Sequence, residues 1–256
     1  MLICDGHVHF YGCFDLAAAL ARLEGNLRAA AAPPMQPALL ACVVERNGRE
    51  FFAGRELPLR AGAYQIVAGP EPGCLEVRRS GRPAVFLVLG RQLVAAERIE
   101  VLGLACTAEL SDGLPARDLL HGVRQAGGVP VLPWAPGKWL GARGRLVAEL
   151  VAAGQPGPLL VGDTTLRPAG WPSPGLARAC LPCVPGSDPL PLPGEERWLG
   201  AYGFCYRAEF DAGCPVTELR RILSQPSPLL EPVGRRGSLA VTIQRLARLK
   251  LRKPDA

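Results

Sequence analysis

The sequence predicts an α/β fold built on a mainly parallel sheet. Short apolar runs alternate with stretches of helical periodicity, and those stretches close on glycine or proline. The apolar runs number seven: Leu2 to Asp5, Ala38 to Glu45, Ala84 to Leu89, Ile99 to Cys106, Val129 to Pro133, Pro158 to Val161 and Cys180 to Val184. At 256 residues the chain can bury a large core in one domain or two small ones.

After the first strand, Leu16, Leu20, Leu23 and Leu27 recur at three and four residues and form the apolar stripe of a helix, which Pro33 and Pro34 end. Residues 46 to 82 break the alternation. Asn47-Gly48, Gly69-Pro70, Pro72-Gly73 and Ser80-Gly81 punctuate runs such as Ala63 to Val67 and Cys74 to Arg78, the pattern of a small antiparallel β insertion. Pro115 to Ala126, with Asp112 as its expected cap and Gly127-Gly128 as its stop, and Leu140 to Ala153 are the next helices. No repeat of 20 to 50 residues is visible, which excludes solenoids and propellers.

With 48% hydrophobic and 20% charged residues the chain is globular, and apolar runs such as Ala84 to Leu89 are far shorter than the ~20 residues of a spanning helix. The N-terminus lacks the basic and apolar regions of a secretory signal, so the expected location is cytoplasmic. The net charge of +6 belongs to the tail: residues 1–232 carry 22 basic and 22 acidic side chains, residues 233–256 carry 7 and 1. A neutral body argues against a nucleic-acid groove, which needs clustered positive charge on the binding face. The nine cysteines are expected to be reduced, small and buried. The Cys180-x-x-Cys183 pair with Cys205 and Cys214 has the wrong spacing for a standard zinc site.

Of three histidines, two fall in Asp5-Gly-His7-Val-His9, directly after the first strand. Alternate residues of an extended segment point the same way, so the two imidazoles aim at one point above the C-terminal strand ends, where they can hold a divalent zinc, iron or manganese. The alternative is a pair of surface histidines. His121, in mid-helix, is read as structural. Glycine-rich nucleotide loops and the Gly-x-Ser-x-Gly elbow are absent.

Over most of its length the chain resembles the polymerase and histidinol phosphatase (PHP) domain, a branch near the amidohydrolases. The resemblance rests on Asp5-Gly-His7-Val-His9, on Gly90-Arg91-Gln92, on the segment from Gly127-Gly128 to Trp134-Ala-Pro136, and on Gly186-Ser187-Asp188-Pro189-Leu190. It implies a distorted (β/α)7 TIM-like barrel over residues 1–236, with residues 46–82 as the insertion. It also implies hydrolysis of phosphate esters at a centre of two or three metals. The chain departs from the family's pattern at three places. Gln92 stands where a glutamate is typical, Trp134 where His-Pro is typical, and Leu190 where a last histidine is typical. The expected ligand set is therefore reduced to His7, His9 and Asp188, with Asp5 and Asp163 as extras, which suits one catalytic metal.

Other charged residues follow predicted strands. Asp163 is a rim carboxylate or an ordinary turn cap; Arg167 and Lys138, like Arg91, Gln92 and Trp134, are candidates to contact substrate, solvated loop charge being the alternative for the cations. Glu195 is a candidate base or ligand, and with Glu196 it also fits an acidic pair opening a helix. Residues 237–256 form an amphipathic basic helix with Leu239, Ile243, Leu246 and Leu249 as its apolar stripe. The packed arrangement has those leucines on the barrel and the charge outward, open to an acidic partner. Two functions follow as expectations: a single-metal phosphoesterase acting on a small molecule, and a barrel without turnover that binds a ligand or partner, with no metal needed.

Overall fold

The computed structural model describes residues 1–31, 36–52, 54–154, 157–172 and 181–251. It is a mixed α/β structure in which nine strands form one nearly closed, barrel-like sheet. In chain order the elements are β1 (Leu2–Val8), α1 (Leu16–Ala29), β2 (Ala38–Arg46), β3 (Leu59–Ala61), β4 (Tyr64–Ala68), β5 (Cys74–Arg79), β6 (Arg82–Val94) and β7 (Glu100–Leu104). They continue with α2 (Ala116–Gln125), β8 (Val129–Pro133), α3 (Ala142–Ala152), β9 (Leu160–Thr164), β10 (Cys183–Gly186), β11 (Tyr202–Tyr206), α4 (Pro215–Leu223), β12 (Glu231–Gly234) and α5 (Leu239–Leu251). All seven expected strands are present. Cys180 and the prolines Pro33 and Pro34 lie outside the described residues.

The sheet runs β10-β9-β8-β7-β6-β2-β1-β11-β12, and β3, β4 and β5 form the antiparallel insertion, joined to β6 through β5. The expectation of a mainly parallel sheet needs correction at β11, antiparallel to both β1 and β12, and at β7, antiparallel to both β6 and β8. At β7 the reason is the connection: only residues 95–99 separate β6 from β7, too few for a crossover. Residues 105–114 then return toward the end of β6, where the Gly113 amide donates to the Val94 carbonyl. β1, β2, β6, β8, β9 and β10 thus point their C-terminal ends at one rim, and β7 presents its N-terminal end there.

Alternation sorts the strand residues into two sets. Leu2, Cys4, Leu40, Cys42, Val44, Phe86, Val88, Leu102 and Val131 fill the interior, where Val216, Leu219 and Ile222 of α4 join them. Ile3, Ala41, Val43, Val85 and Leu87 face outward against Leu20, Leu23 and Leu27 of α1 and against the insertion. Closure occurs where β10 meets the second half of β1, whose first half pairs with β11. The Asp188 amide donates to the His7 carbonyl at 2.8 Å. Only glycine fits this seam, since a Cβ on Gly6 would lie 2.4 Å from Val184 Cγ1 and one on Gly186 2.4 Å from the His7 nitrogen.

Several local expectations change. Asp112 accepts from the Val94 amide instead of capping α2, whose first amide, Ala116, donates to Glu97. β11, α4 and β12 were not anticipated. In α5 the leucine stripe is split: Leu246 and Leu249 pack on Ala135, Leu166, Leu190 and Leu192, while Leu239 and Ile243 are 47% and 58% exposed. Nor does all the charge face outward. Arg245 is 1% exposed, because fully buried Glu195 takes its guanidinium through both oxygens. Arg245 also donates to Thr165 Oγ1 at 3.0 Å and lies over the Trp198 ring. No helix among the described residues is long and apolar enough to cross a membrane.

Candidate metal centre

His7 and His9 face the barrel interior because β1 carries an irregularity. Up to Asp5 its even residues point inward, and Asp5 pairs with outward-facing Ala41 of β2. The next outward pair is Val8 with Val43, so β1 spends three residues where β2 spends two. That extra residue inverts the phase, as a bulge does, and turns the odd positions His7 and His9 inward. On the far side of the seam Asp188 follows β10 directly, with φ 44°, a left-handed conformation that aspartate tolerates better than most residues.

Among the described residues these three form the one group able to hold a metal ion. His7 Nε2 and His9 Nε2 are 3.0 Å apart, and Asp188 Oδ1 lies 3.6 Å from the first and 3.7 Å from the second. A point in their plane stands about 2 Å from all three atoms, a zinc–imidazole or zinc–carboxylate bond length. Two nitrogens, one oxygen and an open side are a fitting donor set for zinc, iron or manganese.

The electrostatics agree. Burial drives His9 down to about 3, with His7 adding to the effect, and burial also lowers His7 against the pull of Asp188. Both rings are thus neutral, the form that offers a lone pair. The Val44 backbone opposes this fall at His9. Burial pushes Asp188 up, but His7, Lys138, His9 and Arg245 outweigh it and hold the carboxyl below its usual range. Gln92 is 5% exposed and stands beside His7; its Oε1 and His7 Nδ1 are both buried without a hydrogen-bond partner. When His7 binds through Nε2 its proton moves to Nδ1, and Gln92 is the acceptor at hand.

His9 and Asp188 of the triad line a cleft of about 1040 Å³ at the rim. Lys138 and Gln92 line it. Lys138 is paired with Glu100; burial opposes its charge, but Asp188 and Glu100 keep it above its ordinary range. Three further lining residues escaped the sequence reading. Arg46 ends β2 and has no ion-pair partner among the described residues, Tyr11 continues the His7, His9 alternation with its ring 5.5 Å from His9, and Glu100 reaches the rim only because β7 is inverted. The end of a strand and the i, i+2, i+4 spacing were available signals for the first two.

The other expected site residues are elsewhere. Asp5 points outward, where its carboxylate accepts from the amides of His7, Ser187 and Gly200, so it ties the seam together instead of extending the triad. Asp163 is spent on Arg167 and on the Tyr202 hydroxyl, which removes both Asp163 and Arg167 from the cleft. Glu195 is held by Arg245. Arg91 sits one residue out of phase with Gln92 and pairs with Glu50. Trp134 does not line the cleft. Leu190 does, as part of an apolar wall. His121 is exposed on α2. The described cysteines are free thiols, among them the buried Cys4 and Cys42 with sulfurs 3.8 Å apart, and none joins a metal-holding group.

The fold and site together define an α/β barrel-like protein with a buried two-histidine, one-carboxylate centre at its rim. No protein-family model and no curated protein matches the chain. Among solved structures, that of PsfC from Pseudomonas syringae PB-5123 superimposes with a TM-score of 0.56 at 16% identity, covering 98% of each chain. This likeness concerns the fold.

Proposed function

We propose that the protein is a PHP-like, metal-dependent hydrolase of phosphate esters on a distorted (β/α)7-type barrel, working with one metal ion. The observation that carries this reading is the convergence of His7, His9 and Asp188 on one point within a cleft that also presents Lys138 and Arg46. His7, His9 and Asp188 would hold a divalent ion, whose positive charge would acidify water and polarise the phosphoryl group. Lys138, kept protonated by Asp188 and Glu100, and Arg46, whose guanidinium fork matches phosphate oxygens, bind and orient the ester. Tyr11, whose hydroxyl is held protonated by burial, donates a hydrogen bond at the same mouth. Water oxygen then bonds to phosphorus, the ester P–O bond breaks, and the alcohol leaves with a proton. With one triad carboxylate and no second metal cluster among the described residues, charge stabilisation at phosphorus is modest and turnover is slow.

The test is metal analysis of protein purified without a histidine tag, followed by turnover of aryl phosphates with and without added zinc or manganese. Slow hydrolysis that requires the metal and stops with chelator is expected. Fast, chelator-insensitive turnover contradicts it. A second reading, a barrel that binds ligand without turnover, is favoured by Gln92 in place of a carboxylate and by Leu190, which packs against α5. A bound metal with no turnover across a phosphoester panel selects that reading.

A further inference from the structure

We propose that the ligand of this cleft is a phosphate monoester of an apolar alcohol: an amphiphile whose headgroup lies against Arg46 and Lys138 and whose hydrocarbon chain runs along Leu166, Leu190, Leu246 and Leu249. This rests on the phosphate-ester reading above and specifies what the ester carries. His9, Asp188, Arg46 and Lys138 line the cleft, and so do those four leucines, which pack together as one cluster drawn from the loops after β9 and β10 and from α5. At about 1040 Å³ it is far larger than a phosphate group requires, and at the upper end of small-molecule sites.

The leucine cluster is held in place at a cost. A terminal helix that merely covered core would bury leucines and leave arginine in water. α5 instead buries Arg245 on Glu195 and Thr165, and this fixes its rotation so that Leu246 and Leu249 border the cleft. Burying such a pair gains little stability against well-packed apolar residues, so its consequence lies in the orientation it imposes. A sugar or nucleoside moiety against that cluster would leave its hydroxyls facing leucine side chains that offer no hydrogen bond, a loss that discriminates strongly against polar groups. A methylene chain meets no such loss and gains by leaving water.

The test uses the full-length protein with saturating zinc, titrated calorimetrically with ethylphosphonate, butylphosphonate and octylphosphonate, whose C–P bond resists hydrolysis. Affinity at one-to-one stoichiometry is expected to rise about three- to fourfold for each methylene buried, making octylphosphonate at least about tenfold tighter than ethylphosphonate. Leu249→Ser, near the helix end, and Leu246→Ser reduce that gain while leaving ethylphosphonate binding unchanged, and Arg46→Ala weakens the whole series alike. Equal affinities across the wild-type series overturn the proposal without recourse to any variant. So does a gain kept in full by both leucine variants whose melting temperature matches wild type. Zinc content of the same samples separates the two readings. A chain-length gain in protein that takes up no zinc removes the metal-dependent hydrolase and keeps the amphiphile; zinc-dependent turnover with no chain-length gain does the reverse.

Discussion

The Nε2 atoms of His7 and His9 face each other at 3.0 Å inside the barrel, and one extra residue in β1 puts them there. Without that irregularity both rings would follow Asp5 to the outer face, against the helices. The centre therefore depends on the register of β1 as much as on which residues are present.

If the two rings and Asp188 hold a metal, zinc stabilises the folded protein by linkage, about 2.7 kcal/mol at one hundred times its dissociation constant. Zinc should raise the melting temperature of wild type and bind stoichiometrically. His7→Ala with His9→Ala should abolish both effects, since two of three ligands are lost. Unchanged metal content in the double variant would place any bound metal elsewhere.

Gln92 acts through His7 as a positioning residue. Gln92→Leu removes the acceptor beside His7 Nδ1, and zinc affinity is expected to drop about 10- to 100-fold with the fold intact. Gln92→Glu, which keeps an acceptor and adds charge, should bind zinc at least as tightly as wild type. Competition with a chromophoric chelator measures both, and equal affinity in all three proteins would remove Gln92 from the centre.

The Glu195–Arg245 pair anchors α5. Arg245→Met leaves a buried carboxylate without its partner, an expected loss of about 3–5 kcal/mol, seen in urea unfolding. Combining it with Glu195→Leu should recover much of that loss, because no charge is then stranded. Removal of residues 237–256 should lower the melting temperature for the same reason, and an unchanged value would show that α5 does not pack as described.

Glu24 on α1 joins the helix to the β insertion, accepting from Tyr64 Oη and Arg28 Nε at 2.8 Å and from Arg79 at 3.3 Å. Burial pushes its carboxyl up, but Arg28, Tyr64 and Arg79 outweigh burial and hold it below the ordinary 4.5. A carboxylate with a depressed folded pKa contributes stability above the unfolded pKa and loses it as pH falls through the folded one. Between pH 7 and pH 3.5 wild type should therefore lose more stability than Glu24→Gln. Equal losses in urea titrations would show that the ion pairs contribute nothing.

The sequence by itself determined seven strands of the barrel, the β insertion, the α1 stripe of Leu20, Leu23 and Leu27, and the placement of His7, His9 and Asp188 after strands that end on one rim, because each is written in local periodicity or in position along the chain; the inward turn of the two rings came from the extra residue of β1, which simple alternation does not show. Tertiary structure decided the rest. The direction of β7 depends on a short connection whose consequence appears only once β6 and β8 are in place, and Glu100 reaches the cleft for that reason. Asp163, Glu195 and Arg91 have the residue types of a site, yet each is committed to an arginine or glutamate partner that sequence spacing does not reveal. The inward face of α5 was set by Glu195, a buried charge fifty residues away in sequence, which outweighed the apolar stripe because an unpaired buried carboxylate costs more than Leu239 and Ile243 left partly in water.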